Sequence, residues 1–277
     1  MNNAFGDVAA ELRARRPVVV ATVVRESGSV PRRTGAKMII HPDRTTRGSI
    51  GGGLFELIVI RDSIAAMAAG VSVTKSYSFN PKFTDEDAFG AVCGGRAEVF
   101  LEVVMPADRL LIVGGGHCGR ALARVASVMD FSIVVADDRE EYANPEDFGF
   151  PNVERVLHLS AEFEGLPEPD ERTYVALVSK GFTTDASALK RVINSRAAYI
   201  GMIGSKKKRD AVYDGLRAEG ITDAMLERVK NPIGLDIGAE TPEEIAISIL
   251  GEIIQVRASR RGRMEEEMQP RRHGLRL

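Results

Sequence analysis

An apolar strand that runs straight into a glycine turn constrains this chain more than any other feature. Leu110-Leu111-Ile112-Val113 leads into Gly114-Gly115-Gly116-His117-Cys118-Gly119, a G-x-G-x-x-G pattern, and an alanine-rich segment follows. Gly114 permits a tight turn, Gly116 lets a pyrophosphate approach the backbone, and Gly119 allows a helix to pack closely on the strand. The unpaired N–H groups at the helix start attract the anion. A second apolar run, Phe131 to Ala136, ends at Asp137, at the spacing where such folds set an acid against a ribose hydroxyl. The pattern predicts a phosphate cradle but no reaction, because dehydrogenases, binding modules and cofactor carriers share it.

Strand and helix signals alternate beyond this point, with strands near 153–157, 173–178 and 198–201 and helices over 117–129, 186–194 and 205–219. Such alternation implies a parallel sheet with helices on both faces. Thr241-Pro242-Glu243-Glu244 then offers a capping box with proline at the first helical position, predicting a helix of about 17 residues that ends near Ala258. The first hundred residues read differently. A short helix over 3–15 precedes the β-branched run Val18 to Val24, a strand at Lys37 to His41, a helix from Leu54 to Ala69 stopped by Gly70, and alternating strands at 72–79 and 97–104. The expected fold is α/β: an N-terminal α+β domain over 1–106, a Rossmann-like, doubly wound domain over 107–259, and a basic, disordered tail over 260–277.

The 277 residues carry 37 Lys and Arg against 39 Asp and Glu, a net charge of −2, so no global charge points to nucleic acid or an anionic membrane. No apolar run nears the ~20 residues of a membrane span and no signal-peptide pattern opens the chain, so a cytoplasmic location is expected. Two cysteines, Cys93 and Cys118, suggest neither a disulfide framework nor a four-ligand zinc site.

Three N-terminal segments break ordinary strand and helix composition, which is where functional strain is expected. Gly28-Ser29-Val30-Pro31-Arg32, with Gly35-Ala36-Lys37-Met38, sets two adjacent arginines beside a fixed bend, suited to a phosphate or carboxylate as well as to a solvated turn. Gly48-Ser49-Ile50-Gly51-Gly52-Gly53 opens a helix whose first turn holds Glu56, so its N–H groups can form an anion nest. Cys93-Gly94-Gly95 leaves room for a ligand or backbone to approach a thiol, a soft metal ligand and sulfur acceptor; a small buried hydrophobe is the other reading. Cys118 competes with Cys93, because a helix N-terminus is expected to lower its pKa. In the second half, Lys180 to Asp185 and Gly204-Ser205-Lys206 both open helices at the sheet edge that faces a ligand crevice.

In their joint order these segments resemble the XdhC/CoxI family of xanthine dehydrogenase accessory proteins. The likeness runs from about Val19 to Val256 and also includes Asp137-Asp138-Arg139, Tyr199 to Lys206 and Asn231 to Gly238. It implies a homodimer that binds the molybdenum cofactor (molybdopterin) while a cysteine desulfurase exchanges an oxo ligand for sulfur, and that then delivers the cofactor to a molybdenum hydroxylase apoenzyme. The residues it assigns to the cofactor are Ser29, Arg32, Lys37, Gly51, Gly52, Gly53, Glu56, Cys93, Gly94, Gly114, Gly116, His117, Gly119, Asp137, Arg139, Gly204, Ser205 and Lys206. Cys93 is the implied thiol and molybdenum contact; Cys118 receives no role. Family members often carry a histidine after the strand ending at Ser179, where this chain has Lys180-Gly181-Phe182. The alternative is an NAD(P)-dependent oxidoreductase, supported by the glycine turn and Asp137, although no convincing acid–base pair follows the loop beyond His158 and Lys180.

Overall fold

A computed structural model describes residues 4–79 and 95–268, with side chains at 261–268 left undescribed. It divides into two compact units, Met1–Pro106 with Met264–Leu277, and Ala107–Arg263. Among the described residues no helix is long and apolar enough to cross a membrane.

The first unit begins with helix α1 (Ala4–Arg13) and is built on strand β1 (Val18–Ser27). β1 pairs antiparallel with β2 (Lys37–Ile40) on one side and β5 (Arg96–Val104) on the other. The short strands β3 (Thr46–Gly48) and β4 (Val73–Ser78) close the edges, giving the order β3-β2-β1-β5-β4. Alternate residues Val19, Ala21 and Val23 share one face with Met38, Ile40, Val99 and Leu101, and all are buried. Helix α2 (Gly53–Ala69) covers that face with Phe55, Val59 and Met67. The Phe55 ring meets Tyr77 and Phe79 edge-on, at 5.5 and 5.0 Å between centroids, the arrangement aromatic quadrupoles favour. Gly70 stops α2 in the left-handed region at φ 67°, with its N–H on Met67 O, as its position after the apolar run predicts.

The second unit is a six-stranded sheet of order β11-β10-β9-β6-β7-β8, parallel throughout. Its elements are β6 (Asp108–Val113), α3 (His117–Ala126), β7 (Phe131–Asp137), β8 (Val153–His158), β9 (Thr173–Leu177), α4 (Phe182–Val192), β10 (Tyr199–Met202), α5 (Lys206–Ala218), α6 (Asp223–Leu226), β11 (Val229–Lys230) and α7 (Pro242–Met268). Leu110, Ile112, Ile133 and Val135 face α3 and α7, while Leu111, Val113, Val134 and Val175 face α4 and α5. Burial on both faces explains why these strands read as unbroken apolar runs. From β6 the chain winds outward through β7 and β8, then returns to place β9 on the other flank of β6. The C-terminal ends of β6 and β9 therefore form a topological switch point. This doubly wound order is the α/β architecture expected from the alternating pattern.

The capping box forms as read: Thr241 Oγ1 accepts Glu244 N–H at 3.3 Å, and the Glu244 carboxylate accepts Thr241 N–H at 2.9 Å. α7 does not end near Ala258 but continues to Met268. Arg257 anchors this stretch by pairing with buried Asp108 at 3.0 Å and lying over the Phe131 ring, and the Arg, Met and Glu residues beyond are good helix formers. The segment after β11 is tied to the same helix. Gly234 N–H and the Tyr199 hydroxyl both donate to Glu252 Oε2, and Gly234 sits at φ 93°, where a Cβ would meet Ser248 Oγ at 2.4 Å.

Phe55→Ala empties the ring position shared by α2, Tyr77 and Phe79. It is expected to cost about 3–5 kcal/mol, read as a lower urea midpoint of the transition assigned to the first unit; an unchanged midpoint would contradict this packing.

Candidate functional site

Within the first unit the glycine-rich segments meet. A Cβ on Gly51 would lie 2.4 Å from the Pro31 side chain, and one on Gly95 would lie 2.1 Å from the Ser29 carbonyl. The 28–35 turn is thus wedged between the segment preceding α2 and the start of β5. Ser29 and Arg32 are exposed on this turn. Lys37 lies half-buried on the face of β2 opposite Met38, its ammonium donating to Thr22 Oγ1 at 2.9 Å. Cys93 and Gly94 lie outside the described residues.

The nest before α2 exists, and the anion it faces is the chain's own. Glu56 Oε1 accepts Ser49 Oγ at 2.7 Å, Ile50 N–H at 2.9 Å and Gly51 N–H at 3.2 Å. Gly51, Gly52 and Gly53 all hold positive φ to bring these amides round. The expectation that these amides face a ligand anion is corrected accordingly. Burial alone would raise the Glu56 pKa, but Ser49 and the backbone amides outweigh it and hold the carboxyl below its ordinary range.

In the second unit the glycine turn closes around the switch point, and Gly114, Gly115 and Gly119 each answer to a distinct neighbour. Gly114 takes φ 110° and packs on the Ser179 backbone, with 2.7 Å to Ser179 N from where a Cβ would stand. At Gly119 a Cβ would strike Gly114 O at 1.8 Å, and at Gly115 it would strike Tyr142 O at 1.8 Å. Gly116, the N-cap of α3, has nothing within 4 Å, so its approach is open. No side chain caps this helix start, so its first amides have no side-chain acceptor.

Asp137 is wholly buried at the end of β7. Its Oδ2 accepts Gly115 N–H at 2.8 Å and Arg139 Nη2 at 3.1 Å, and its Oδ1 accepts Arg139 N–H and Nε, both at 3.0 Å. Desolvation works against the charge, yet the hydrogen bonds from Arg139 and Gly115 prevail and hold the carboxyl below its ordinary value. Arg139 lies over the Tyr142 ring with 4.1 Å to the centroid.

These residues surround a cavity of about 330 Å³ lined by Gly116, His117, Cys118, Arg139, Tyr142 and Lys180, with Val178, Ser179 and Ile203 as its floor. Behind the floor, Ser179 Oγ donates to buried Asp185 at 2.5 Å, while the Lys208 ammonium donates to Ser179 O at 3.0 Å and pairs with Asp185 at 2.5 Å. Burial pushes the Asp185 carboxyl above its ordinary range despite these partners. Lys208 also covers Gly204, at φ 143°, so the turns after β9 and β10 are fastened together. Ser205 caps α5 by accepting Lys208 N–H at 3.3 Å, and Lys206 is exposed beside it.

Two features escaped the sequence reading. Tyr142 enters through a one-turn 3-10 helix, Glu140–Tyr142, too short to have periodicity; its one signal is an aromatic three residues after Arg139. Cys118 behaves opposite to the helix-dipole expectation, because burial and then nearby Glu243 push its thiol pKa up. Among the described residues no group of three or more His, Cys, Asp or Glu is placed to hold a metal.

Comparison with known proteins follows the same division. A family model described as the XdhC Rossmann domain matches residues 110–253, and one described as the XdhC and CoxI family matches residues 11–78. The uncharacterized protein YqeB of Escherichia coli (strain K12) is 35% identical over 261 residues, covering 92% of this chain and 46% of that protein. A probable xanthine dehydrogenase subunit of Bacillus subtilis (strain 168) is 27% identical over 164 residues, 57% of this chain and 46% of that one. The chain spans about half the length of these curated relatives. A crystal structure of a xanthine dehydrogenase from Bacillus halodurans aligns with a TM-score of 0.49 and 22% identity, over 92% of this chain and 96% of that chain.

Two measurements check this geometry. Glu56→Gln is expected to destabilise the protein by about 1–3 kcal/mol near neutral pH. That deficit is full above the unfolded carboxyl pKa of about 4.3 and shrinks as pH falls through the lowered folded value; thermal midpoints of both forms across pH 3 to 7 report it, and a deficit that grows in acid would refute the nest. In a Cys93→Ser background, Cys118 should react with a disulfide reagent more slowly than free cysteine at pH 8 and gain speed only at higher pH.

Proposed function

The chain belongs to the XdhC and CoxI family, and on that premise we propose that it is an accessory protein that binds the molybdenum cofactor and supports its sulfuration and insertion into a xanthine dehydrogenase-type hydroxylase. The observation that carries the reading is the open approach to Gly116 beside the uncapped start of α3, in a cavity bordered by Arg139 and Lys180. A pterin cofactor ends in a phosphate or dinucleotide, and exposed amides, a guanidinium and an ammonium fit that anionic end. When bound, the cofactor supplies a redox-active metal that a hydroxylase uses after sulfur has been added.

This chain's residues bind and orient. Gly114, Gly115 and Gly119 hold the turn in shape, Gly116 admits the phosphate, and Lys180 and His117 sit at the rim. Cys93 is the thiol proposed to contact the metal. Ser29, Arg32 and Lys37 are proposed as further cofactor contacts from the first unit, and Gly204, Ser205 and Lys206 as contacts at the β10 turn. A hydroxylase apoenzyme and a cysteine desulfurase are the proposed partners, a homodimer the proposed assembly, and the cytoplasm the proposed location.

A second reading, an NAD(P)-dependent oxidoreductase, draws on the strand order and the glycine turn. Incubating the purified chain with molybdenum cofactor and, separately, with NAD(H) distinguishes them; tight nicotinamide binding without affinity for the pterin would sink the accessory role. On the leading reading, Gly116→Val lowers cofactor retention by about tenfold or more, measured as bound molybdenum after gel filtration. Cys93→Ala blocks hydroxylase activation more than Cys118→Ala does, and the reverse order would move the functional thiol into the glycine turn.

A further inference from the structure

The acid that should read a ribose in this crevice is already spent. Asp137 has no exposed surface, and its two oxygens take four hydrogen bonds from Gly115 and Arg139. A ribose diol could bond to it only by displacing an intramolecular partner into a buried site, and an unpaired buried group is costly. The next residue is closed to a diol by burial: Asp138 Oδ2 accepts Thr184 Oγ1 at 3.1 Å, and Oδ1, which has no hydrogen-bond partner among the described residues, is buried 3.7 Å from Arg139 Nε. What the rim presents instead is Arg139.

Its guanidinium is fixed on one edge by the two-pronged bond to Asp137 and on one face by Tyr142, while the side chain keeps 38% exposure and lines the cavity. Among the described residues its remaining amine, Nη1, makes no hydrogen bond, and the Lys180 ammonium on the same cavity has no ion pair. A guanidinium held flat in this way binds a phosphate as a fork and stacks on planar rings. In dinucleotide folds an arginine near this position accommodates a ribose phosphate where an acid would take the bare hydroxyl.

We propose that Arg139 is the specificity-determining residue of this crevice, and that it selects a ligand by a phosphate monoester next to a flat ring and not by the cis-diol of an unsubstituted ribose. This deepens the cofactor-binding reading and rests on it for the crevice being a ligand site. The selection lies in the turn after β7, apart from the glycine turn that both ligand types need.

NADH and NADPH are the probes, since they differ by one phosphate monoester on the ribose. Titrated calorimetrically into the full chain at one salt concentration, NADPH is expected to bind at least about tenfold more tightly than NADH. Arg139→Lys should bring the ratio close to one by weakening NADPH, and Tyr142→Leu should weaken NADPH through the loosened guanidinium. NADH binding as tightly as NADPH, or neither binding at millimolar concentration, overturns the proposal on the unaltered chain, whatever the variants do to folding. Hydroxylase activation is measured alongside. Activation with no preference for NADPH removes the specificity claim and leaves the accessory role standing, whereas the preference without activation does the reverse.

Discussion

The carboxylate of Asp137 is the contact on which the second unit's binding edge depends. It sits at the end of an interior strand with no access to water, so it must be paired, and the partners it takes are the amide of Gly115 and the Nε and Nη2 of Arg139. Through one it fixes the shape of the glycine turn, and through the other it fixes the guanidinium that borders the cavity. Gly115 is in turn pressed against the carbonyl of Tyr142, which supports that guanidinium from below. One charge thus holds the glycine turn and the guanidinium beside it in a single arrangement.

The two glycine-rich turns make an instructive pair. Both gather backbone amides before a helix, yet the one before α2 is filled by Glu56 and the one before α3 is open. The difference lies in the first turn of each helix. Glu56 stands where its carboxylate can reach back, whereas the first turn of α3 carries no acid. The nest before α2 is thus filled by an acid of its own helix, whereas before α3 Asp137 takes the Gly115 amide and the helix start itself keeps no side-chain cap.

Most of the fold was readable because its signals are local. Strands buried on both faces must be apolar throughout, and Gly70 and the Thr241–Glu244 box mark helix ends by chemistry that spans only a few residues. Elements such as β3, α6 and β11 escaped because two to four residues cannot display a period. The tight turn at Gly114 and the close helix packing at Gly119 followed from spacing alone. The use made of Asp137, of Glu56 and of the Cys118 thiol did not, since each depends on which group folds against it: Arg139 and Gly115, the 49–51 amides, and Glu243 with the surrounding apolar wall. Residue type announces a capacity, and packing decides whether a ligand or the protein itself consumes it.

Ser179, Asp185 and Lys208 fasten the β9 and β10 turns together from behind the cavity. Structural duty is concentrated in this concealed layer, while Lys180 and His117 line the cavity as exposed side chains. Substitutions at the front can therefore accumulate without unfolding the sheet edge. The residues that keep the sheet edge in shape and the residues that meet solvent at the cavity are thus separate sets.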